Sequence, residues 1–543
     1  MKLYPIFSIF LSTFILLVKT QKVKEIKISE EDGIIEIEEN YIITQISWTK
    51  SENYVLNYVL GVFEASDDLS FADATPIAII KEQGEFNEVN YLDLNTPKAY
   101  KYIRYIPPNK NNTRISPIKF YGYQIDSSDT LNQAKYFQVT NLPLISIHLK
   151  DESQSVKDAD SECSIKIINN GKIEIDEKGF IKLRGRTSKI VAEKKSFRIK
   201  FESKQKIFNF KGKEKKWTLI ANHFDRSFLR NALAFKISEL MELNFTPRCE
   251  PVDVILNGIY QGNYYICDKI EVGKNRVNIT KMEATDISEP NITGGYLLQI
   301  GASFGYGRNQ PNIFKTNRGI PGNIEFPEED ELTSEQKDYI SEKLNQFEEE
   351  IYRGVLDSID LESYSKYFLV EEFCGDPDNV YGSFYFTKER NDNKFHFGPV
   401  WDFDLAFDND ERFYPTSEKP QFCLYYGDSA GTTRDFVKTL ISNKNVIEYI
   451  KNTWDKLIES VLQEKILLNF IEERSQYIKE SAELNLLKWD NYVGDDRPKW
   501  VINFGRSGED FIESVRIVKE YVSNRLISLT ELINEAYISS LNK

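Results

Sequence analysis

Between Lys194 and Phe201 polar and apolar residues alternate, so Phe197, Ile199 and Phe201 share one face of an extended segment while Arg198 and Lys200 share the other. The pattern predicts a strand with a buried face and a cationic face that is either solvated or lines a groove. Short apolar runs at 145–149, 163–168, 180–183 and 217–221 predict further strands. Runs at 252–256 and 262–267 flank Asn257-Gly258, a strong hairpin signal. Nearer the start, runs at 34–37, 54–63, 77–80, 100–106 and 118–123 are separated by Gly, Asn, Pro and Asp clusters. Strands at that spacing predict a β-sandwich over 22–125. The polar segment 126–140 reads as a linker.

The period then lengthens. Phe228, Leu233, Phe235, Ile237, Leu240 and Leu243 recur at helical spacing within 227–243. Past residue 330 helices dominate. Thr333 and Gln336 form a capping-box signature ahead of Tyr339, Ile340, Leu344, Phe347 and Ile351. Asp360 caps a second helix bearing Leu361, Tyr364, Phe368 and Leu369, which stops near Gly375. Later helices are expected over 444–461, 463–487 and 508–538. The predicted layout is multidomain: an all-β sandwich, then an α+β region whose strand-rich half precedes a helix-rich half with one embedded hairpin.

Composition narrows the function. Over 543 residues, 41% are apolar and 13% aromatic, enough for large cores and against disorder over most of the chain. Lys and Arg total 69 against 84 Asp and Glu, a net charge of −15, which argues against a protein that mainly grips nucleic-acid backbone. Five cysteines without a CxxC pair, and three histidines, argue against a disulfide scaffold, a structural zinc site or a multi-His metal centre. Lys2 precedes an apolar run at 3–18, short for a membrane span and suited to a secretory signal peptide cut after Thr20; an uncleaved anchor is the alternative. No later stretch approaches 18 apolar residues, so no transmembrane span is expected after it. Asn111, Asn244, Asn278 and Asn291 lie in N-x-Ser/Thr sequons, in keeping with an expected secreted or cell-surface location.

Chemistry concentrates in 371–410. A helix end is followed by Asp376-Pro377-Asp378, then a hairpin expected over 380–387 and 394–400, then Trp401-Asp402-Phe403-Asp404. Paired strands lie about 5 Å apart, so the hairpin is expected to bring the two acidic clusters to one end. Paired carboxylates suit glycoside hydrolysis or phosphoryl transfer; in the latter, one Asp handles the attacking hydroxyl and another holds Mg²⁺. A phosphate site also needs cations, and Lys182, Arg184, Arg186, Arg198 and Lys200 crowd one stretch of an acidic chain.

Two resemblances add to this reading. The block 61–73 with 100–106 and 118–122 resembles the discoidin-like, galactose-binding-like sandwich, which implies glycan or surface binding, against a spacer role. Seven ordered motifs resemble the CotH family of atypical protein kinases over roughly 142–535: Leu183-Arg-Gly-Arg-Thr-Ser, Lys194-Lys-Ser-Phe-Arg-Ile-Lys, Trp217-Thr-Leu-Ile-Ala-Asn, Asp225-Arg-Ser-Phe-Leu-Arg-Asn231, Val254-Ile-Leu-Asn-Gly-Ile-Tyr-Gln-Gly262, Arg276-Val-Asn-Ile and Gly398-Pro-Val-Trp-Asp-Phe-Asp404. The resemblance implies a bilobal kinase-like fold over 141–543, with lobes at about 141–270 and 271–543. It implies ATP with Mg²⁺ or Mn²⁺, and transfer of phosphate to Ser or Thr of an extracellular or coat protein. It assigns catalysis to Asp378, with Asp376 as competitor, and metal binding to Asp402 with Asp404 as helper. Arg184, Arg198, Lys200, Arg230 and Asn231 occupy motif positions expected to line the nucleotide cleft. The chain has no G-x-G-x-x-G, H-R-D or D-F-G, so ordinary kinase assignments do not transfer. The competing expectation is a surface binding or adhesion protein with a non-catalytic kinase-like scaffold.

Overall fold

The computed structural model describes residues 22–542 except 39, 50–57, 86–87, 95, 109–117, 126–134, 186, 302–309, 411–414, 416–419, 424–430 and 490–507. The expected signal peptide, most of the expected linker, Arg186 and Asn111 lie outside the described residues. The chain divides into two units at Phe137/Gln138.

The first unit is all β: β1 (Lys24–Glu25), β2 (Ile28–Glu31), β3 (Ile34–Ile37), β4 (Tyr41–Thr49), β5 (Val62–Ser66), β6 (Thr75–Ile79), β7 (Val89–Asp93), β8 (Tyr102–Ile106) and β9 (Ile118–Gln124). They form two antiparallel sheets, ordered β1-β9-β4-β7 and β2-β3-β8-β5-β6. Ile35, Ile43, Ile46, Trp48, Phe63, Ile103 and Phe120 fill the core of this sandwich. The sequence pattern missed β4. Tyr41, Ile42 and Ile43 are all fully buried, so the two-residue alternation that marks a half-buried strand is absent there.

The second unit opens with strands β10 (Leu144–Leu149), β11 (Ser161–Asn169) and β12 (Lys172–Leu183). Helix α1 (Thr187–Val191), β13 (Phe197–Gln205), β14 (Glu214–Ile220), helix α2 (Arg230–Leu240), β15 (Cys249–Leu256) and β16 (Ile259–Asp268) follow. The seven strands close into a barrel, sealed by the parallel pairing of β10 with β15. Phe197, Ile199 and Phe201 pack inside it with Trp217, Leu219 and Ile266. Arg198 and Lys200 therefore sit on its outer face, as the pleat requires.

The remainder is β17 (Tyr296–Ile300), β18 (Ile313–Lys315), β19 (Pro321–Phe326), α3 (Ser334–Tyr352), α4 (Leu361–Cys374), β20 (Phe384–Lys388), β21 (Phe395–Phe397), α5 (Gly431–Ser442), α6 (Lys444–Glu459), α7 (Glu464–Trp489) and α8 (Phe511–Leu541). The expected lone hairpin is the edge of a five-stranded sheet, ordered β18-β19-β17-β20-β21. Its first strand starts later than expected. The amides of Tyr381 and Gly382 both donate to the Asp378 carbonyl, at 2.9 and 2.8 Å, so the chain coils before it extends. Thr333 and Gln336 make the reciprocal capping box of α3, and Asp360 caps α4 through the Ser363 amide. All five cysteines are free.

Candidate functional site

The end of α4 sets the position of the first acidic cluster. Gly375 adopts φ 65°, a left-handed conformation that glycine enters at little cost, and terminates the helix. A helix end leaves its last carbonyls without intrahelical partners, and here the rest of the fold supplies them. Arg525 of α8 donates to the Glu372 carbonyl at 2.8 and 3.0 Å, Tyr521 donates to that of Phe373 at 2.8 Å, and the Phe407 amide donates to that of Cys374 at 2.7 Å. Just beyond, an Asp376 carboxylate oxygen accepts the Asp378 amide at 3.0 Å and sets the turn that carries Asp378.

The second cluster is held from the start of α2. The Asn231 side-chain oxygen accepts the Phe403 amide at 2.9 Å, and Arg230 Nε donates to the Ala406 carbonyl at 3.1 Å. Phe235 of α2 stacks on Trp401, with ring centroids 5.7 Å apart. Arg230 is anchored in turn by Asp225, and both side chains are fully buried. Asp225 also accepts the amides of Ser227 and Arg230, each at 2.9 Å. Arg230 and Asn231 were expected to line the cleft. Both lie buried beneath it and hold the 402–407 loop in place, because a buried guanidinium is stable only where carboxylate and carbonyl oxygens surround it.

These contacts gather Asp376, Asp378, Asp402 and Asp404 within electrostatic reach of one another. Asp376 is buried, and its pKa is driven well up, first by loss of solvent and then by the charges of Glu371, Asp378 and Asp402. Asp404 is driven up by loss of solvent, then by Asp402, Asp225 and Asp378. Asp402 is open to solvent although protein mass surrounds it on its other sides. That surrounding raises its pKa, and the Arg184 guanidinium opposes the rise. Arg184 follows β12 and lies over the Trp401 ring, 5.2 Å from its centroid, so one cation of the barrel faces the acidic cluster.

The remaining expected cations are placed differently. Arg198 pairs with Asp160 and leaves its buried Nε without an acceptor. Lys200 rests over the Phe180 ring, 5.7 Å from its centroid. Asp225 and Glu371 contribute to the acidic cluster, yet the sequence reading did not single them out as site residues. Asp225 stood in a recognised motif. Glu371 is one of two adjacent acids within the buried, otherwise apolar stretch 367–374 of α4, an anomaly visible in the sequence.

Among the described residues, no three or more His, Cys, Asp or Glu side chains converge to hold a metal by themselves. Asp402 and Asp404 still fit a hard divalent cation. Mg²⁺ is commonly bound by one or two carboxylates together with substrate phosphates, and a cation there would relieve the like-charge crowding that raises Asp404.

The chain matches the family described as CotH kinase protein over residues 181–529, more than half its length. Among curated proteins none matches. Among solved structures, CBM62 from Clostridium thermocellum Xyl5A is 23% identical, over 17% of this chain and 70% of that one, with a TM-score of 0.16.

Proposed function

The chain belongs to the CotH kinase protein family, and from that premise we propose that it is an atypical protein kinase that transfers the γ-phosphate of ATP to Ser or Thr of an extracellular or coat protein. The observation that carries this reading is the cluster of Asp376, Asp378, Asp402 and Asp404 with the Arg184 guanidinium opposite. A glycosidase needs two carboxylates flanking a sugar bond and does not require a facing guanidinium. Phosphoryl transfer needs cations against the phosphates and carboxylates at the metal and the hydroxyl.

Asp378 sits at the end of the turn set by Asp376 and is the group that accepts the proton of the attacking hydroxyl. As that hydroxyl oxygen bonds to the γ-phosphorus, the bond from phosphorus to the β–γ bridging oxygen breaks and ADP leaves. Arg184 opposes the charge of the phosphate chain from the barrel side. A divalent metal, Mg²⁺ or Mn²⁺, would be held by Asp402 and Asp404 and would neutralise charge on the phosphates. Arg230 and Asn231 act through the main chain, keeping the loop that bears both carboxylates in register with α4.

Export through the secretory pathway is part of the same proposal, supported by the 3–18 apolar run and by the exposure of Asn244, Asn278 and Asn291. The first unit is proposed as a glycan-binding module that brings the kinase to its substrate. The test is transfer of labelled γ-phosphate from ATP to the chain itself or to a Ser-rich acceptor. Wild type labels and Asp378→Asn does not; equal labelling by both discards the assignment. Failure of residues 22–137 to bind any glycan on an array would remove the targeting role and leave the transfer reaction standing.

A further inference from the structure

A cavity of about 560 Å³ lies between α2, the start of β15 and the segment that follows β16. None of Arg184, Asp376, Asp378, Asp402 or Asp404 lines it. Its volume falls in the range of small-ligand pockets. In a chain of net charge −15, its walls carry four lysines and three arginines against two glutamates and one aspartate.

Several of these cations are already partnered. Lys236 pairs with Glu239 at 2.8 Å, Lys269 with Glu271 at 3.3 Å and Arg474 with Glu250 at 3.3 Å. Asp268 at the end of β16 accepts from both Arg248 and Arg276. Lys211 and Lys274 are different: both are exposed, and neither amine has a hydrogen bond or ion pair among the described residues. Arg248 is engaged through Nε and Nη2, and its Nη1 is buried out of reach of the cavity. Phe235, Phe245 and Phe470 supply an apolar wall.

Surface lysines usually point into water and mean little singly. Here two unpartnered ones border one cavity whose three acids, Glu239, Glu250 and Asp268, are all paired with other cations. An anion in the cavity would pair with both ammonium groups. A phosphate ester carries enough acceptor oxygens to meet both at once.

We propose that this cavity is a second ligand site, separate from the acidic cleft, that binds a small, multiply charged phosphate ester. The site borders α2, whose first residues, Arg230 and Asn231, hold the 402–407 loop. A ligand there thus contacts the element that positions Asp402 and Asp404. The inference goes beyond the proposed kinase reaction and does not depend on it.

The test is calorimetric titration of the full chain with inositol hexakisphosphate in EDTA, so that no metal can bridge a phosphate to the acidic cleft. One-to-one binding is expected. Lys211→Glu with Lys274→Glu should weaken it by about tenfold or more, since both charge-assisted contacts are lost. Arg184→Ala should leave it unchanged. Both lysines are exposed, so the fold should survive, and circular dichroism checks this; should the reversed pair misfold, Lys211→Ala with Lys274→Ala carries the test. Absence of binding, wild-type affinity in the lysine variants, or loss of binding in Arg184→Ala would each overturn the proposal.

Discussion

The main-chain amide of Phe407 donates to the carbonyl of Cys374 at 2.7 Å. This bond ties the loop bearing Asp402 and Asp404 to the helix end that launches Asp376 and Asp378. The hairpin between them does not do this alone, because β20 begins only at Phe384, several residues past Asp378. Loop and helix end meet because a terminal carbonyl of α4 needs a donor and Phe407 provides it.

The same loop depends on Arg230. Its guanidinium and the Asp225 carboxylate are both fully buried. Replacing one partner strands the other charge, so Arg230→Met is expected to cost about 3–5 kcal/mol of stability. Asn231→Ala removes the hydrogen bonds to the Phe403 amide and to the Asn222 side-chain oxygen and should cost roughly 1–3 kcal/mol. Urea denaturation of both variants measures the ranking; an Arg230→Met protein as stable as wild type would refute the support role.

Asp402 has φ 77°, in the left-handed region where Asn and Asp are the best-tolerated residues with a side chain. Asp402→Asn should therefore keep the loop conformation, remove one negative charge from a crowded cluster, and leave the melting temperature equal to or above that of wild type. Phosphate transfer should fall by about 100-fold or more. Asp402→Ala adds backbone strain and is the poorer probe, since lost activity would mix with lost stability. A fall in melting temperature for the Asn variant would contradict the picture of repelling carboxylates.

Arg184 holds its position by stacking on Trp401 and faces Asp402. Arg184→Ala should raise the KM for ATP by about tenfold, the loss of one charge-assisted contact to phosphate, with little change in melting temperature. Arg184→Lys should recover only part of the affinity, because an ammonium cannot reproduce the planar stack. An unaltered KM in Arg184→Ala would remove Arg184 from the nucleotide site.

A pH effect on stability is expected away from the cleft. His396 of β21 lies 3.6 Å from the Asp360 carboxylate and 2.7 Å from that of Asp392. The Asp360 contact raises the His396 pKa above its ordinary 6.5, and the Asp360 carboxyl is held well below the usual carboxylate range by His396. The folded state thus binds the imidazole proton more tightly than the unfolded chain. The histidine's contribution is complete below about pH 6.5 and is lost as pH rises through its folded pKa. Wild type should melt lower at pH 8 than at pH 6, by a margin that shrinks in His396→Gln. Equal margins in the two proteins would exclude the pair as the source.

Much of the architecture was legible one element at a time. The alternation of Phe197, Ile199 and Phe201 correctly marked a barrel strand and its inner face. Thr333, Gln336 and Asp360 marked helix starts that the structure reproduces with the expected cap bonds. Such signals are local, set by the strand pleat and by amides that need acceptors within a few residues. Strands buried on both faces, such as β4, carry no such signal. The sheet strands β17 and β19 escaped the reading in the same way, being buried almost throughout, and β18 spans only three residues.

The sequence by itself determined which chemistry is available: clustered acids at 376–378 and 402–404, clustered bases at 182–200, and the ordered motifs of one kinase family. Only the tertiary structure decided which of those residues face one another. Arg184 meets the acids, whereas Arg230 and Asn231 are spent beneath them as supports. The physical reason is that desolvation and hydrogen-bond satisfaction depend on everything a side chain is folded against, and residues 172 apart, as Asn231 and Phe403 are, become neighbours only in the folded chain.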